Sequence, residues 1–517
     1  MDKSRTDYSI LNIATGLGGY AVNTILGLIC RMVFTRTLEA EYLGINGLFT
    51  NILGMLSLAE LGIGSAIVYA LYKPLAVNDE KKIASLVKFY GQCYRAVGIF
   101  IGAAGLCLLP FLDLLIGPEN MTIPHLRIFY LLYLFNTASS YFFSYRSSLL
   151  MAAQRNYLVT GLSYLVTIAQ SVIQMGLLFA TGSYMAYLLV QTAGTLVYNV
   201  TISHLAKRQF PFIADRDIPP LDREERRGLL ANVRALIVWK LAGLLVNQTD
   251  SIIITYFSGL SAVGLVSNYT LLSSTLNSLL NQLFNGITAS IGNHNALEST
   301  ADRLRLFRTV NLANFWLFGW AAIGICLVSS DLVALLFGES YVLHWSIPFI
   351  LAVNFYTVGM QSAVWTYNNT MGLFRQGRYL LLLTAAINLA ASIWLGNIWG
   401  LFGIYFATTL SRLCTNLWYD PYKLFKHGFH MSARSYAKRY FSDLLILCAA
   451  GGLCLLLCQL VELPLGIRVI YRSVVCSLVP NAVFLLCFHR SEEFRYLREI
   501  AERVVKKLLR RSGRQSS

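Results

Sequence analysis

Charged side chains are scarce in this sequence. Asp, Glu, Lys and Arg make up 13% of its 517 residues, which is about half the share found in soluble domains. Hydrophobic residues make up 56%, and they cluster in runs of about 20, the length that spans a bilayer as a helix. So much apolar surface excludes a single soluble core. It predicts an all-α polytopic membrane protein, in which each span satisfies its own backbone hydrogen bonds.

The sequence also lacks the motifs of common enzymes and metal sites. It has no Walker A motif, no HExxH motif and no Ser/His/Asp arrangement, so it does not support an enzyme. The ten cysteines are dispersed, without a CxxC pair or a Cys/His cluster, and are best interpreted as small apolar residues. We therefore expect no metal and no cofactor, and H⁺ or Na⁺ are the candidate coupling ions.

The apolar windows predict about fourteen transmembrane helices, an even number that places both termini on one side of the membrane. On this topology, 33 of the 42 Lys and Arg residues lie on the side of the termini, four lie on the opposite side and five lie within spans. Positively charged loops face the cytoplasm. We therefore expect a multi-pass protein of the bacterial cytoplasmic membrane with both termini cytoplasmic. The net charge of +16 reflects this topology and does not indicate a nucleic-acid partner.

The order of the spans predicts two lobes of six helices, followed by two further helices. A Pro-containing, highly charged segment separates the lobes, and a basic amphipathic segment ends the chain. Such a segment favours the inner leaflet. The predicted parts are an N-terminal six-helix lobe at 1–205, a cytoplasmic linker at 206–235, a C-terminal six-helix lobe at 236–430, helices 13 and 14 at 431–488, and a cytoplasmic tail at 489–517.

An internal repeat relates the two lobes. A shift of 220 residues aligns Thr35 with Thr255 and Gly44 with Gly264. Because the shift covers six helices, it preserves orientation and predicts two parallel halves around a pseudo-two-fold axis along the membrane normal, with a site between them. Asp250 aligns beside Arg31, so these residues should lie at similar depths.

Seven charged side chains lie inside predicted spans, and they are our candidate substrate-binding residues. A charge at the bilayer centre is costly, so it usually lines a polar cavity. Glu60, Arg95 and Arg412 lie too deep to reach the headgroups easily. Glu60 should therefore be paired, protonated or in contact with cavity water, and the two arginines should line the cavity. The full set is Arg31, Glu60, Arg95, Arg146, Lys240, Asp250 and Arg412.

For three of the seven, anchoring at the interface competes with a functional role. Arg31, Arg146 and Lys240 lie near span ends, where long cationic side chains can reach the headgroups. Asp250 lies in a polar patch, Asn247–Ser251, which favours function. Five cations and two acids make the set electropositive. Guanidinium groups donate paired hydrogen bonds to phosphate, so the cavity should take a phosphate or pyrophosphate headgroup, and a buried Glu could carry a coupling ion.

Two segments carry a family resemblance. The first reads Leu56-Ser-Leu-Ala-Glu-Leu-Gly-Ile-Gly-Ser-Ala after Tyr42-Leu-Gly-Ile-Asn-Gly-Leu-Phe, and the second reads Asp250-Ser-Ile-Ile-Ile followed by Val263-Gly-Leu-Val-Ser-Asn-Tyr. The chain resembles the polysaccharide biosynthesis/oligosaccharide flippase family (Wzx type) of the multidrug/oligosaccharidyl-lipid/polysaccharide exporter superfamily. The resemblance implies a central cationic cavity, alternating access, and an undecaprenyl-diphosphate-linked glycan for capsule, O-antigen or exopolysaccharide assembly.

The resemblance also implies site residues and partners. Arg31 resembles the helix-1 arginines that lipid II flippases place in the cavity, and Glu60 resembles an acidic helix-2 position, although Leu follows it here instead of Gly. Helices 13 and 14 would hold the lipid tail. The expected partners are the lipid-linked oligosaccharide, membrane lipids, and the polymerase and glycosyltransferases of the same pathway.

Two other functions compete with a flippase. A cation-coupled multidrug exporter of the same superfamily would favour an acidic or aromatic cavity, which the positive set argues against. A non-transporting membrane scaffold for cell-wall synthesis predicts that neutralising Arg31 or Glu60 leaves function intact.

Overall fold

The computed structural model describes residues 5–57, 63–112, 116, 123–153, 155–215, 218–229, 249–297, 300–371, 373, 379–499 and 502. Two predicted site residues, Glu60 and Lys240, lie outside this part of the chain. The described residues contain no strand, and their helices alternate with short turns. These helices are α1 (Arg5–Thr37), α2 (Ala40–Leu56), α3 (Ile63–Ala76), α4 (Glu80–Leu108), α5 (Leu126–Ser140), α6 (Ser147–Ala152), α7 (Asn156–Thr181), α8 (Tyr184–Gln209), α9 (Asp250–Ser258), α10 (Leu260–Leu297), α11 (Thr300–Phe337), α12 (Ser346–Thr370), α13 (Leu380–Cys414), α14 (Asn416–Lys423), α15 (Arg434–Gln459) and α16 (Leu465–Phe488).

Nine of the helical segments in the described ranges are long and apolar enough to cross a membrane. The prediction of an all-α polytopic membrane protein is therefore confirmed, whereas the count of fourteen spans is not. Most windows match closely: the predicted spans 158–180 and 346–370 correspond to α7 and α12. Apolar segments of this length form helices in lipid, because a helix satisfies its backbone hydrogen bonds within the segment.

Two predicted spans differ from the structure inside their windows. The predicted span 126–151 is interrupted between α5 and α6 by a turn and a short 3-10 helix, Ser144–Arg146. The predicted spans 379–398 and 401–422 meet within α13 at Gly400, whose φ of 56° and ψ of −134° are not helical. Such a backbone requires glycine. The two halves of α13 then lie side by side, because Asn388 Nδ2 donates to Thr408 Oγ1 at 3.1 Å.

The chain divides into two compact units, Met1–Leu265 (unit 1) and Val266–Ser517 (unit 2). In unit 1 the repeat-related glycines meet: a Cβ at Gly44 would lie 2.1 Å from the Leu260 carbonyl oxygen, and one at Gly264 would lie 2.1 Å from the Ala40 carbonyl oxygen. Each glycine thus allows the backbone of the other segment to approach. A reciprocal contact of this kind is expected between elements related by a two-fold axis.

Part of the predicted linker packs against other residues of unit 1. Residues 218–229, here called the strap, lie along the first turns of α4. Ser85 Oγ donates to the Pro219 carbonyl oxygen at 2.7 Å, and Lys88 Nζ donates to the Ile218 carbonyl oxygen at 2.8 Å. Leu221 is buried in the core of unit 1. The predicted domain boundaries themselves remain predictions.

Unit 2 packs around α11, which contacts α12 and α16 along their lengths. Its core is rich in aromatic residues, among them Phe315 and Phe484 with ring centroids 5.0 Å apart. The first residues of the tail join this core, since Phe494 stacks on Trp316 at 5.7 Å. This part of the tail is therefore fixed by protein contacts.

Candidate functional site

The structure describes five of the seven predicted site residues. Arg31, Arg95, Arg146 and Asp250 belong to unit 1, and Arg412 belongs to unit 2. Their role in binding remains a prediction, and so does that of Glu60 and Lys240.

Arg95 lies midway along α4, fifteen residues after its first residue. Its side chain is exposed, and its Nε donates to the Gly91 carbonyl oxygen of the same helix at 3.1 Å. Within the described residues no carboxylate lies within 4.0 Å of it. A guanidinium so far from a helix end is very costly against lipid, so its exposed surface should face water or a polar ligand.

Arg146 is the last residue of the 3-10 turn that interrupts the span between α5 and α6. Its Nη1 donates to Ser203 Oγ of α8, and its Cζ lies 4.9 Å from the ring centre of the adjacent Tyr145. Tyr145 in turn packs on Gly91 of α4, where a Cβ would lie 2.9 Å from the ring. Arg95 and Arg146 are thus linked through Gly91 and Tyr145, in an area that the sequence did not indicate.

Arg31 and Asp250 lie at comparable positions on the repeat-related helices α1 and α9. Arg31 is six residues from the end of α1, and Asp250 is eight residues from the end of α9. One turn beyond Arg31, the Phe34 ring contacts Tyr187 of α8 at 5.2 Å. Next to Asp250, Ser251 Oγ accepts a hydrogen bond from Asn51 Nδ2 of α2.

Arg412 lies in the last turn of α13, beside a break in the helix. Thr415 has φ −130° and ψ −92°, and α14 begins at the next residue. Thr384, from the first half of α13, closes the break with hydrogen bonds to Thr415 Oγ1 at 2.8 Å and to Asn416 Oδ1 at 3.2 Å. Both Arg146 and Arg412 therefore adjoin interrupted helices, and irregular backbone at membrane depth is tolerated where it is buried in protein or lines a cavity.

The side chains of Arg95 and Arg146 in unit 1 offer hydrogen-bond donors to a ligand. Arg95 and Arg146 have no acid partner within the described ranges, and the same ranges contain no group of three His, Cys, Asp or Glu residues suited to a metal ion. Guanidinium groups with unused N–H donors bind oxyanions, and phosphate matches their geometry.

Sequence reasoning missed two residues of α8 that join this area. Asn199 and Ser203 are one turn apart and are 2% and 5% exposed. Polar residues at i and i+4 in an otherwise apolar span would have indicated a polar helix face, but their partner Arg146 follows from the tertiary structure alone.

An apolar cavity of about 170 Å³ lies in unit 2 between α10, α11 and α16. Leu276, Trp320 and Val328 line one side, and Ser477 of α16 lines the other. Because α16 corresponds to predicted helix 14, an apolar space lies beside one of the two helices that we expect to hold a lipid tail.

Residues 11–289 match the family model described as polysaccharide biosynthesis protein. No curated protein matches the chain significantly. These residues include both segments that carry the sequence resemblance. They also include six of the seven predicted site residues, all except Arg412.

Several solved structures are similar to the chain. The lipid II flippase MurJ in an inward closed conformation has a TM-score of 0.63 at 14% identity, covering 92% of this chain and 100% of the flippase. An inward-facing multidrug resistance MATE family transporter of the MOP superfamily has a TM-score of 0.56 at 14% identity, covering 76% of this chain and 91% of the transporter. At this identity the likeness shows the fold.

Proposed function

The chain belongs to the polysaccharide biosynthesis protein family, and from this premise we propose that it is a flippase for a lipid-linked oligosaccharide. The cargo is an undecaprenyl-diphosphate-linked glycan, which moves from the inner to the outer leaflet of the bacterial cytoplasmic membrane by alternating access. The family and the MurJ-like fold support a membrane flippase or transporter, and the cargo is our proposal.

The observation that carries this proposal is the guanidinium of Arg95. It is exposed midway along an apolar helix and has no acid partner among the described residues. A cationic drug would be repelled by it, whereas a diphosphate would be bound. Arg31, Arg95 and Lys240 would hold the diphosphate and acidic sugars, while Glu60 and Asp250 would contact sugar hydroxyls or the coupling ion, H⁺ or Na⁺.

The lipid part of the cargo needs a different surface. The apolar cavity beside α16 is too small for a whole polyprenyl chain, but a chain can continue along the lipid-facing side of the helices. We assign this cavity to a segment of the undecaprenyl tail.

Complementation of glycan export in a strain that lacks the protein tests the proposal. We expect Arg31→Ala, Glu60→Gln and Arg95→Ala to abolish export and to accumulate lipid-linked glycan in the inner leaflet. Arg36→Ala is the matched control, because Arg36 is an exposed arginine in the last turn of α1. Normal export by all three variants at normal expression would reject the cavity and favour a scaffold. Loss of drug efflux with normal glycan export would favour the multidrug exporter.

A further inference from the structure

The interruption between α5 and α6 creates irregular backbone inside a predicted span. Residues 141–143 form a turn in which each backbone N–H donates to the carbonyl oxygen three residues earlier. Phe142 N, for example, donates to the Ser139 carbonyl oxygen at 3.1 Å. The 3-10 turn Ser144–Arg146 follows. Backbone of this kind persists at membrane depth where it is enclosed by protein or lines a polar cavity. Arg146 is the last residue of this segment and should therefore share that environment.

Three side chains around this interruption supply hydrogen-bond donors. Arg146 Nη1 donates to Ser203 Oγ, and its guanidinium rests against the Tyr145 ring. Asn199 lies one turn away from Ser203 on the same face of α8, is 2% exposed, and its Nδ2 has no hydrogen-bond partner. Within the described ranges no carboxylate is in ion-pair distance of Arg146.

A buried amide N–H without an acceptor is rare, because the hydrogen bond it made with water is lost. Here it lies one turn along α8 from Ser203, whose Oγ accepts from the guanidinium of Arg146, a charged group with further N–H donors. An anionic oxygen would satisfy the amide and the guanidinium together. The ring of Tyr145, whose centre is 4.9 Å from Cζ of Arg146, packs against the guanidinium and supports it by a cation–π contact.

We propose that Arg146, Asn199 and Ser203 form a subsite for the phosphate oxygens of the diphosphate group. This inference rests on the proposed function and specifies where in unit 1 the headgroup is held. Arg31 adjoins the other end of the same helix, where Phe34 contacts Tyr187. Tyr187 and Ser203 are about 24 Å apart along α8 at 1.5 Å per residue. The subsite and Arg31 therefore lie near opposite ends of α8, and the headgroup occupies them at different stages of transport.

Binding of farnesyl diphosphate to the purified full-length protein in nanodiscs tests the subsite by isothermal titration calorimetry. We expect Arg146→Gln to weaken binding at least about tenfold, since hydrogen bonds to charged groups are the strong ones. Asn199→Leu and Ser203→Ala should each weaken it by a smaller factor, and Arg146→Lys should recover part of the loss. Competition with inorganic pyrophosphate separates recognition of the diphosphate from recognition of the isoprenoid.

Arg155 provides a matched control. It also donates to a side chain of α8, Gln209 Oε1 at 2.6 Å, and also lies over an aromatic ring, Phe210 at 5.5 Å. We expect Arg155→Gln to bind as the wild type does. An equal loss in Arg155→Gln would overturn the subsite, because general charge would then explain the effect.

Two further outcomes separate the inference from the proposed function. If the wild type binds and Arg146→Gln, Asn199→Leu and Ser203→Ala bind equally well, the subsite is wrong, and the flippase proposal stands on its export assay. If the wild type binds no isoprenoid diphosphate, both are wrong. Monodisperse elution and an unchanged unfolding temperature show that each variant is folded, and Ser203→Ala, which removes one oxygen atom, is the least disruptive of them.

Discussion

Asp331 holds the start of α16 to α11, and replacing it should destabilise unit 2 measurably. Its side chain is 8% exposed and forms ion pairs with two arginines of α16. Arg468 Nε lies 3.1 Å from one carboxylate oxygen, and Arg472 Nη1 donates a hydrogen bond to the other at 2.6 Å. The two arginines are four residues apart and share the same helix face. Asp331→Asn removes the charge that keeps them together and leaves two cations facing each other.

The size of the effect follows from burial. Removing one partner of a fully buried ion pair costs about 3–5 kcal/mol. The arginine side chains are 37% and 26% exposed, so water already solvates part of each guanidinium, and exposed pairs are worth little. We therefore expect a loss of about 2 kcal/mol in the free energy of unfolding. This corresponds to roughly a thirtyfold change in the folded-to-unfolded ratio.

Unfolding of the purified protein in a mild detergent with increasing SDS, followed by circular dichroism, measures this loss. Glu339→Gln is the control, because Glu339 is an exposed acid beyond the end of α11 with no ion pair among the described residues. Adding Arg472→Leu to Asp331→Asn should recover part of the stability, since one unpaired cation disappears. If Asp331→Asn and Glu339→Gln unfold alike, the carboxylate does not hold the helices and our reasoning is wrong.

Three further predictions concern the backbone contacts that shape the two units. Leu221→Asp should release the strap from α4 and speed its cleavage by trypsin in limited proteolysis, whereas Glu224→Ala, at an exposed position, should not. Gly44→Ala should cost about 1–3 kcal/mol of unfolding free energy, since the added methyl meets a carbonyl oxygen. Gly27→Ala, with open space around it, should not reduce stability. Gly400→Ala should lower the yield of folded protein, because its φ of 56° and ψ of −134° strain any L side chain by about 1–3 kcal/mol.

The fold was largely predictable because membrane spans follow from composition and length. The predicted windows 158–180 and 346–370 agree with α7 and α12 to within two residues at each end. Lipid removes the choice between helix and strand for such segments. The pairing of Gly44 with Gly264 was also visible as an alignment, although their direct contact was not.

The interruptions inside spans could not be predicted in the same way. Residues 141–146 have no proline or glycine, which are the usual signals of a helix break. The break is stabilised by tertiary contacts, among them Arg146 with Ser203 and Tyr145 with Gly91. A single sequence does not reveal such contacts, so Arg146 was indistinguishable from an arginine that anchors at the interface.

The depth of a charge in the membrane was our guide to function from the sequence, but the partners of a charge discriminate better. Arg468 and Arg472 share the carboxylate of Asp331, and arginines whose charge is compensated in this way have less affinity for an anionic ligand. Arg95 and Arg146 have no acid partner in the described part of the chain, so their donors can bind an oxyanion. A flippase needs cations of the second kind, because a headgroup must be bound and then released. An arginine that is paired with an acid of its own protein would have to break this ion pair in every transport cycle. Such an arginine is better suited to stabilising the fold than to binding the headgroup.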